Sequence, residues 1–154
     1  MEHWNTATRR GLLSGAVASA LSTAALAALG KAGTGSMFAP TNAISHWVWG
    51  DKAARHDAPS LRYTATGYVI HHLSATFWAV LFERFMGDRL DRMGPAPTVA
   101  AATATSAAAC FADYQLTPQR LEPGYEMRLS KPALAVVYGA FAAGLAAGAM
   151  MMRR

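Results

Sequence analysis

Only 15% of this 154-residue chain is charged, against about 25% in an average soluble domain, while 53% is hydrophobic. The net charge of +5 does not mark a nucleic-acid binder, because the arginines sit at the ends of apolar runs and no basic face is interleaved with aromatics. A single cysteine, Cys110, excludes an intrachain disulfide and a cysteine-based metal motif, and its alanine-rich surroundings read it as a small apolar residue.

The first apolar run, Gly11 to Gly30, is uncharged and places a span at about residues 10–30. Arg9-Arg10 ahead of it also fits a twin-arginine export signal cleaved near Ala27 or Gly30, and a retained helix is the favoured reading. The linker Lys31 to Tyr63 is too long for a turn and too apolar for a disordered loop. Within it, Thr41 to Gly50 (TNAISHWVWG) reads as a short helix capped by Thr41 and ended by Gly50. Trp47 and Trp49 suit a bilayer interface, so this piece is expected to lie on or dip into the outer leaflet. Asp51 can start a further short turn, DKAARHD.

The second run, Thr64 to Met86, carries His71 and His72 inside a stretch long enough to cross a bilayer. Glu83-Arg84 at the end of this run, then Asp88-Arg89 and Asp91-Arg92, read as solvated, self-neutralising local pairs. The third run, Pro95 to Leu116, has Asp113 as its sole charge, and the fourth, Pro132 to Met152, has none. Between them, Asp113 to Lys131 is polar and proline-punctuated and should be an ordered connection. Each run should be helical, because a backbone in lipid must satisfy its own polar groups. The expected fold is all-α: one transmembrane domain over residues 1–154, an integral membrane four-helix bundle with a short interfacial helix in the first extracytoplasmic loop.

Small residues recur every four positions: Gly11, Gly15 and Ser19 in the first run, and Ala140, Gly144 and Gly148 in the fourth. That spacing lets helix backbones approach closely, within one chain or between copies. Lysines and arginines divide evenly between the two sides, but those beside the termini lie in shorter segments, which favours both termini in the cytoplasm.

Ionisable groups at membrane depth are the functional candidates. On this topology His71 and His72 lie about 10–12 Å below the outer surface and Asp113 about 6 Å below it, with His46 of the interfacial helix near the same level. Imidazole plus carboxylate can hold a divalent metal such as zinc or relay a proton. The competing reading is polar glue between helices and loops. It is favoured because adjacent histidines point about 100° apart. No cofactor is expected, and haem is disfavoured because neighbouring histidines on one helix cannot supply opposite axial ligands. No nucleophile elbow, phosphate-binding glycine loop or catalytic carboxylate pair occurs.

Three phrases, PTNAISHWVWG, YTATGYVIHHLSATFWAVLFERF and DYQLTPQRLEPGYEMRLS, resemble those of a group of small bacterial inner-membrane proteins of unknown function. The resemblance spans roughly the C-terminal three quarters. It implies four helices in the bacterial cytoplasmic membrane and no particular activity. The expected role is that of a non-enzymatic structural or accessory subunit, in a homo-oligomer or a larger membrane complex, with the lipid bilayer as its surroundings.

Overall fold

The computed structural model describes residues 1–92 and 94–153. Among them the regular elements are all helical: α1 Trp4–Thr34, α2 Ala39–Ile44, α3 His46–Trp49, α4 Thr66–Leu90, α5 Pro95–Phe111 and α6 Lys131–Met151. Short 3₁₀ turns cover Gly50–Arg55, Gln119–Leu121 and Tyr125–Met127, and π turns cover Leu61–Ala65 and Ala112–Leu116. The all-α expectation therefore holds.

Four membrane-length helices are expected, but among the described residues two, α1 and α6, are long and apolar enough to cross a membrane. The reason differs for the other two. α4 has the length, yet His71, His72, Glu83 and Arg84 lower its mean hydropathy. α5 keeps α geometry for 17 residues before the π turn takes over at Ala112.

The chain divides into two compact units. The first comprises Met1–Ser22, His72–Ala109 and the chain from Tyr138. Here small residues set the helix spacing. A Cβ on Gly11 would lie 2.6 Å from the Val80 Cα, and one on Gly15 would lie 2.7 Å from the Thr76 Cα. Contacts that run in reverse order at a four-residue step show α1 antiparallel to α4. Gly144 and Gly148 do the same for α6, each bringing an added Cβ to 2.5 Å from the Cα of Ala18 and Ser14. The core between these helices gathers Ala75, Ala79, Phe82, Leu90, Ala102, Phe141 and Leu145.

The second unit comprises Thr23–His71 and Cys110–Val137. The single helix expected over Thr41 to Gly50 is instead two, interrupted at Ser45. Thr41 does not cap it; the helix begins at Ala39 with Pro40 in the first turn, where the missing N–H costs nothing. Gly50 ends the second helix at φ +68°, a conformation that favours glycine. All six residues of α2 are buried, so α2 is a core element of its unit, while Val48 and Trp49 of α3 are exposed. Gly67 of α4 makes room for it, because a Cβ there would collide with the Thr41 carbonyl oxygen.

Candidate functional site

His46 stands at the start of α3 and is 8% exposed. Its Nε2 lies 2.8 Å from the carbonyl oxygen of Glu122, which can only accept, so Nε2 carries the hydrogen. Trp47 Nε1 donates to the same oxygen at 2.8 Å. Two adjacent rings thus hold one carbonyl. Gly124, at φ +96°, packs so closely that a Cβ would lie 2.6 Å from the Ala43 oxygen and 2.7 Å from His46 Cδ2. His71, part-buried on α4, meets the buried ring of Tyr125 edge-on at 6.3 Å. The turn Glu122–Tyr125 is therefore held by two of the sequence-predicted histidines.

His72 is part-buried on α4 within the first unit, and Asp113 is part-buried in the π turn Ala112–Leu116 of the second. Among the described residues no three of His, Cys, Asp and Glu gather closely enough to hold a metal ion. Around the same turn, the Gly124 N–H donates to Glu126 Oε2 at 2.7 Å, and burial pushes the Glu126 carboxyl above its ordinary 4.5. Asn42, fully buried, donates to the carbonyls of His56 and Ala58 at 2.7 and 2.9 Å and accepts from Thr64 Oγ1 at 2.6 Å. These are the contacts of groups that fix loops.

The chain matches no family model, no curated protein and no solved structure. The geometry of its own residues therefore has to carry the functional reading. In that geometry the small residues singled out by spacing are spent within the chain. Gly11 and Gly15 pack on α4, Gly144 and Gly148 pack on α1, Ser19 is fully buried and Ala140 part-buried.

A second polar constellation lies in the first unit and corrects the reading of the charge-rich stretch from Glu83 to Arg92. Glu83 is fully buried and faces Arg153, whose Nη2 is 2.6 Å from Oε2 and whose Nη1 is 3.3 Å from Oε1. Arg153 Nε also reaches Asp91 at 2.8 Å. Asp91 in turn accepts from Arg10 at 3.0 Å, and Arg10 holds Glu2 Oε1 at 2.5 Å. Asp88 pairs with the Met1 amino group at 2.7 Å. None of these carboxylates is paired with the arginine next to it in sequence. Adjacent helical side chains diverge by about 100°, so each acid turns inward while its neighbour turns away.

Burial raises the Glu2 carboxyl above its ordinary 4.5, against the opposing pull of Arg10. Burial acts to lower Arg153, but the hydrogen bonds it donates to Glu83 and Asp91 and the charge of both carboxylates together outweigh burial and hold the guanidinium above its ordinary value. The network ties residues 2, 10 and 153 to α4. Composition shows the charges, but apart from Glu2 and Arg10, 8 residues apart, the paired groups are 62 or more residues apart, and no local spacing announces such pairs.

Proposed function

We propose that the chain is a four-span protein of a bacterial cytoplasmic membrane and acts there as a non-enzymatic structural or accessory subunit. The observation that carries this reading is an inversion of polarity. Along α4, Val69, Leu73, Phe77 and Phe85 are exposed, with Leu73 62% exposed and the part-buried Leu81 completing the four-residue step. The opposite side buries Ala75, Ala79 and the charged Glu83, with Phe82 as the one aromatic ring of α4 that is buried among the described residues. A helix facing water would carry its charges on the exposed stripe and its bulky apolar groups inside. α1 exposes Leu12, Leu13 and Leu21 and buries Ser14, Ser19 and Ser22. α5 exposes Val99 and buries Thr98 and Ser106. Ser14, Thr98 and Ser106 donate to carbonyls, of Arg10 at 3.0 Å, Gly94 at 3.0 Å and Tyr138 at 2.7 Å, whereas Ser19 Oγ has no partner among the described residues. This is how a helix is built when lipid is the solvent. It supports α4 and α5 as spans although their mean hydropathy or length falls short.

The resemblance to small bacterial inner-membrane proteins supports the location. The short arginine-bearing segments around Arg10, Arg84, Arg89 and Arg153 support termini on the cytoplasmic side. The subunit role rests on the close helix contacts already made inside the chain, which leave α5 with an outward face of Ala100, Ala104 and Ala108 for a neighbouring helix. The test uses a Cys110→Ala background with single cysteines at Leu73, Asp51 and Asp88. In intact cells a membrane-impermeant maleimide should label only the Asp51 position, and in opened membranes the Asp88 position as well. Labelling at Leu73 as fast as at Asp51 would show the α4 stripe facing water and end the reading. The subunit role is checked on native gels after mild solubilisation. A particle well above one protomer is expected, and a monomer throughout refutes it.

A further inference from the structure

We propose that Arg62 and the groove beside it form a binding site for a membrane phospholipid, with the phosphate on the guanidinium and an acyl chain in the groove. The inference rests on the bilayer reading above and goes beyond it by naming a ligand and its seat. Leu61, Thr64, Ala65 and Tyr68 recur at the three- and four-residue steps of one helix face. With Pro59 and Ser60 they line an open, mostly apolar groove of about 460 Å³. That volume falls within the ~300–1,000 Å³ of small-molecule sites. Leu61, at its edge, is 91% exposed. Arg62 leaves the same turn from the neighbouring face. Its guanidinium carbon lies 4.3 Å from the centre of the Trp49 ring and 5.5 Å from that of Tyr63.

Trp49 holds this arginine twice, because its Nε1 also donates to the Arg62 carbonyl oxygen at 3.0 Å. Ser60 Oγ fixes the same turn by accepting from the Arg62 and Tyr63 N–H groups at 3.1 and 3.2 Å. Stacking occupies the face of a guanidinium, whereas its N–H bonds point outward in its plane. Arg62 is exposed and no carboxylate among the described residues pairs with it, so an anion from outside the chain can reach that edge. Water alone satisfies an exposed cation, as at Arg55 of the same unit. Arg62 differs in being already stacked, so less ordering of the side chain opposes a bound anion. The surroundings select its type. The planar fork matches two phosphate oxygens. The groove offers apolar surface that a soluble phosphate has no chain to cover. Trp49 and Tyr63 suit the level of headgroups, and on the proposed topology this end of α4 lies at the extracytoplasmic surface.

The test uses the full-length protein in dodecyl maltoside micelles, titrated with dioleoylphosphatidylglycerol, dioleoylglycerol or inorganic phosphate and followed by native mass spectrometry. The phospholipid should bind about fivefold more tightly than the diacylglycerol, the usual effect of one basic residue at an anionic lipid surface. Arg62→Gln should abolish that preference, Arg62→Lys should reduce it, and Arg55→Gln, the unstacked arginine, should leave it intact. Ala65→Trp, which fills the groove, should weaken both lipids alike. Retention of the preference by Arg62→Gln, or its loss in Arg55→Gln as well, overturns the phosphate site, and unchanged lipid affinity in Ala65→Trp overturns the groove. Binding of inorganic phosphate as tight as that of the lipid overturns the lipid source. Should Arg62→Gln prove unstable, Arg62→Lys decides in its place: a reduced preference supports the site and an undiminished one overturns it. Alkaline carbonate extraction of native membranes tests the bilayer reading separately. Release of the protein removes that reading, whereas retention with no phosphate preference removes only the site.

Discussion

Replacing Gly144 with alanine should loosen the packing of α1 against α6, whereas the same change at Gly139 should not. A Cβ at position 144 would stand 2.5 Å from the Ala18 Cα, 2.9 Å from the Val17 oxygen and 3.0 Å from the Ala18 nitrogen. All three are backbone atoms, so no side chain can rotate out of the way. Carbon atoms rest about 3.5–4.0 Å apart, so the two helices must separate by about 1 Å, and a gap of that size forfeits a quarter to a half of each dispersion well along the contact. Overpacking of this kind costs about 1–3 kcal/mol. Against it stands the helix propensity of alanine over glycine, about 1 kcal/mol. Gly139 enjoys the same propensity gain but has nothing within 4 Å of its added Cβ. The shared gain cancels in the comparison, so Gly144→Ala should be less stable than Gly139→Ala by about 1–3 kcal/mol. Denaturant unfolding in detergent micelles, followed by tryptophan fluorescence, measures this directly. Equal stabilities for the two variants would refute the argument that backbone contact sets the α1–α6 spacing.

Glu83→Ala and Arg153→Ala should each cost about 3–5 kcal/mol by stranding a buried charge, while the double variant Glu83→Leu/Arg153→Leu should cost less than either. Thermal unfolding in detergent checks this, and additive losses would show that the two groups do not act as a pair. Asn42→Ala should cost about 3 kcal/mol through the carbonyls of His56 and Ala58 and the Thr64 hydroxyl that it leaves without partners, and it should expose the 50–60 segment to limited proteolysis. For Glu126, burial raises the folded carboxyl above 4.5, so its contribution is fully present below the unfolded value and is lost as pH rises through the folded one. Wild-type protein should therefore gain thermal stability on acidification from neutral pH toward 4.5 relative to Glu126→Gln, which keeps an oxygen for the Gly124 N–H. Parallel pH profiles would count against an ionised, buried Glu126.

Helix content and the small-residue contacts could be read from local patterns, because both depend on residues three or four apart. Gly11 and Gly15, and Gly144 and Gly148, each lie on one helix face whatever the rest of the chain does. The break at Ser45 was not legible. Thr41 and Gly50 are good end signals, but Ser45 Oγ and N both turn back to the Asn42 carbonyl, at 2.7 and 3.0 Å, and stop the first helix early. His46 was visible as an unusual polar residue, yet its partner is a backbone carbonyl 76 positions away, which no side-chain motif can signal. Glu83 was misread because the nearest opposite charge in sequence, Arg84, is not the nearest in space.

That misreading and the shortfall of α4 in mean hydropathy share one physical cause. An average over a helix adds its two sides together, whereas a helix packed on one side and solvated on the other responds to them separately. On α4 the polar groups Thr76 and Glu83 lie on the side that meets α1 or Arg153, where partners and close packing replace solvent. Leu73, Phe77 and Phe85 lie on the other side. If lipid bathes that outer stripe, as proposed, the penalty for polar residues applies only where they would face acyl chains, and α4 carries none in its middle turns. Leu73→Asp should then prevent insertion or redirect the helix, at a cost of about 3 kcal/mol at mid-depth, while Thr76→Asp fails for a different reason, by crowding Gly15. The two are separable. Adding back space through Gly15 cannot be done, since glycine is already the smallest residue, but moving the aspartate outward to Phe85, near the helix end, should be tolerated. A chain that accepts aspartate equally at Leu73 and Phe85 would have no depth dependence along α4, and the bilayer could not be what covers that stripe.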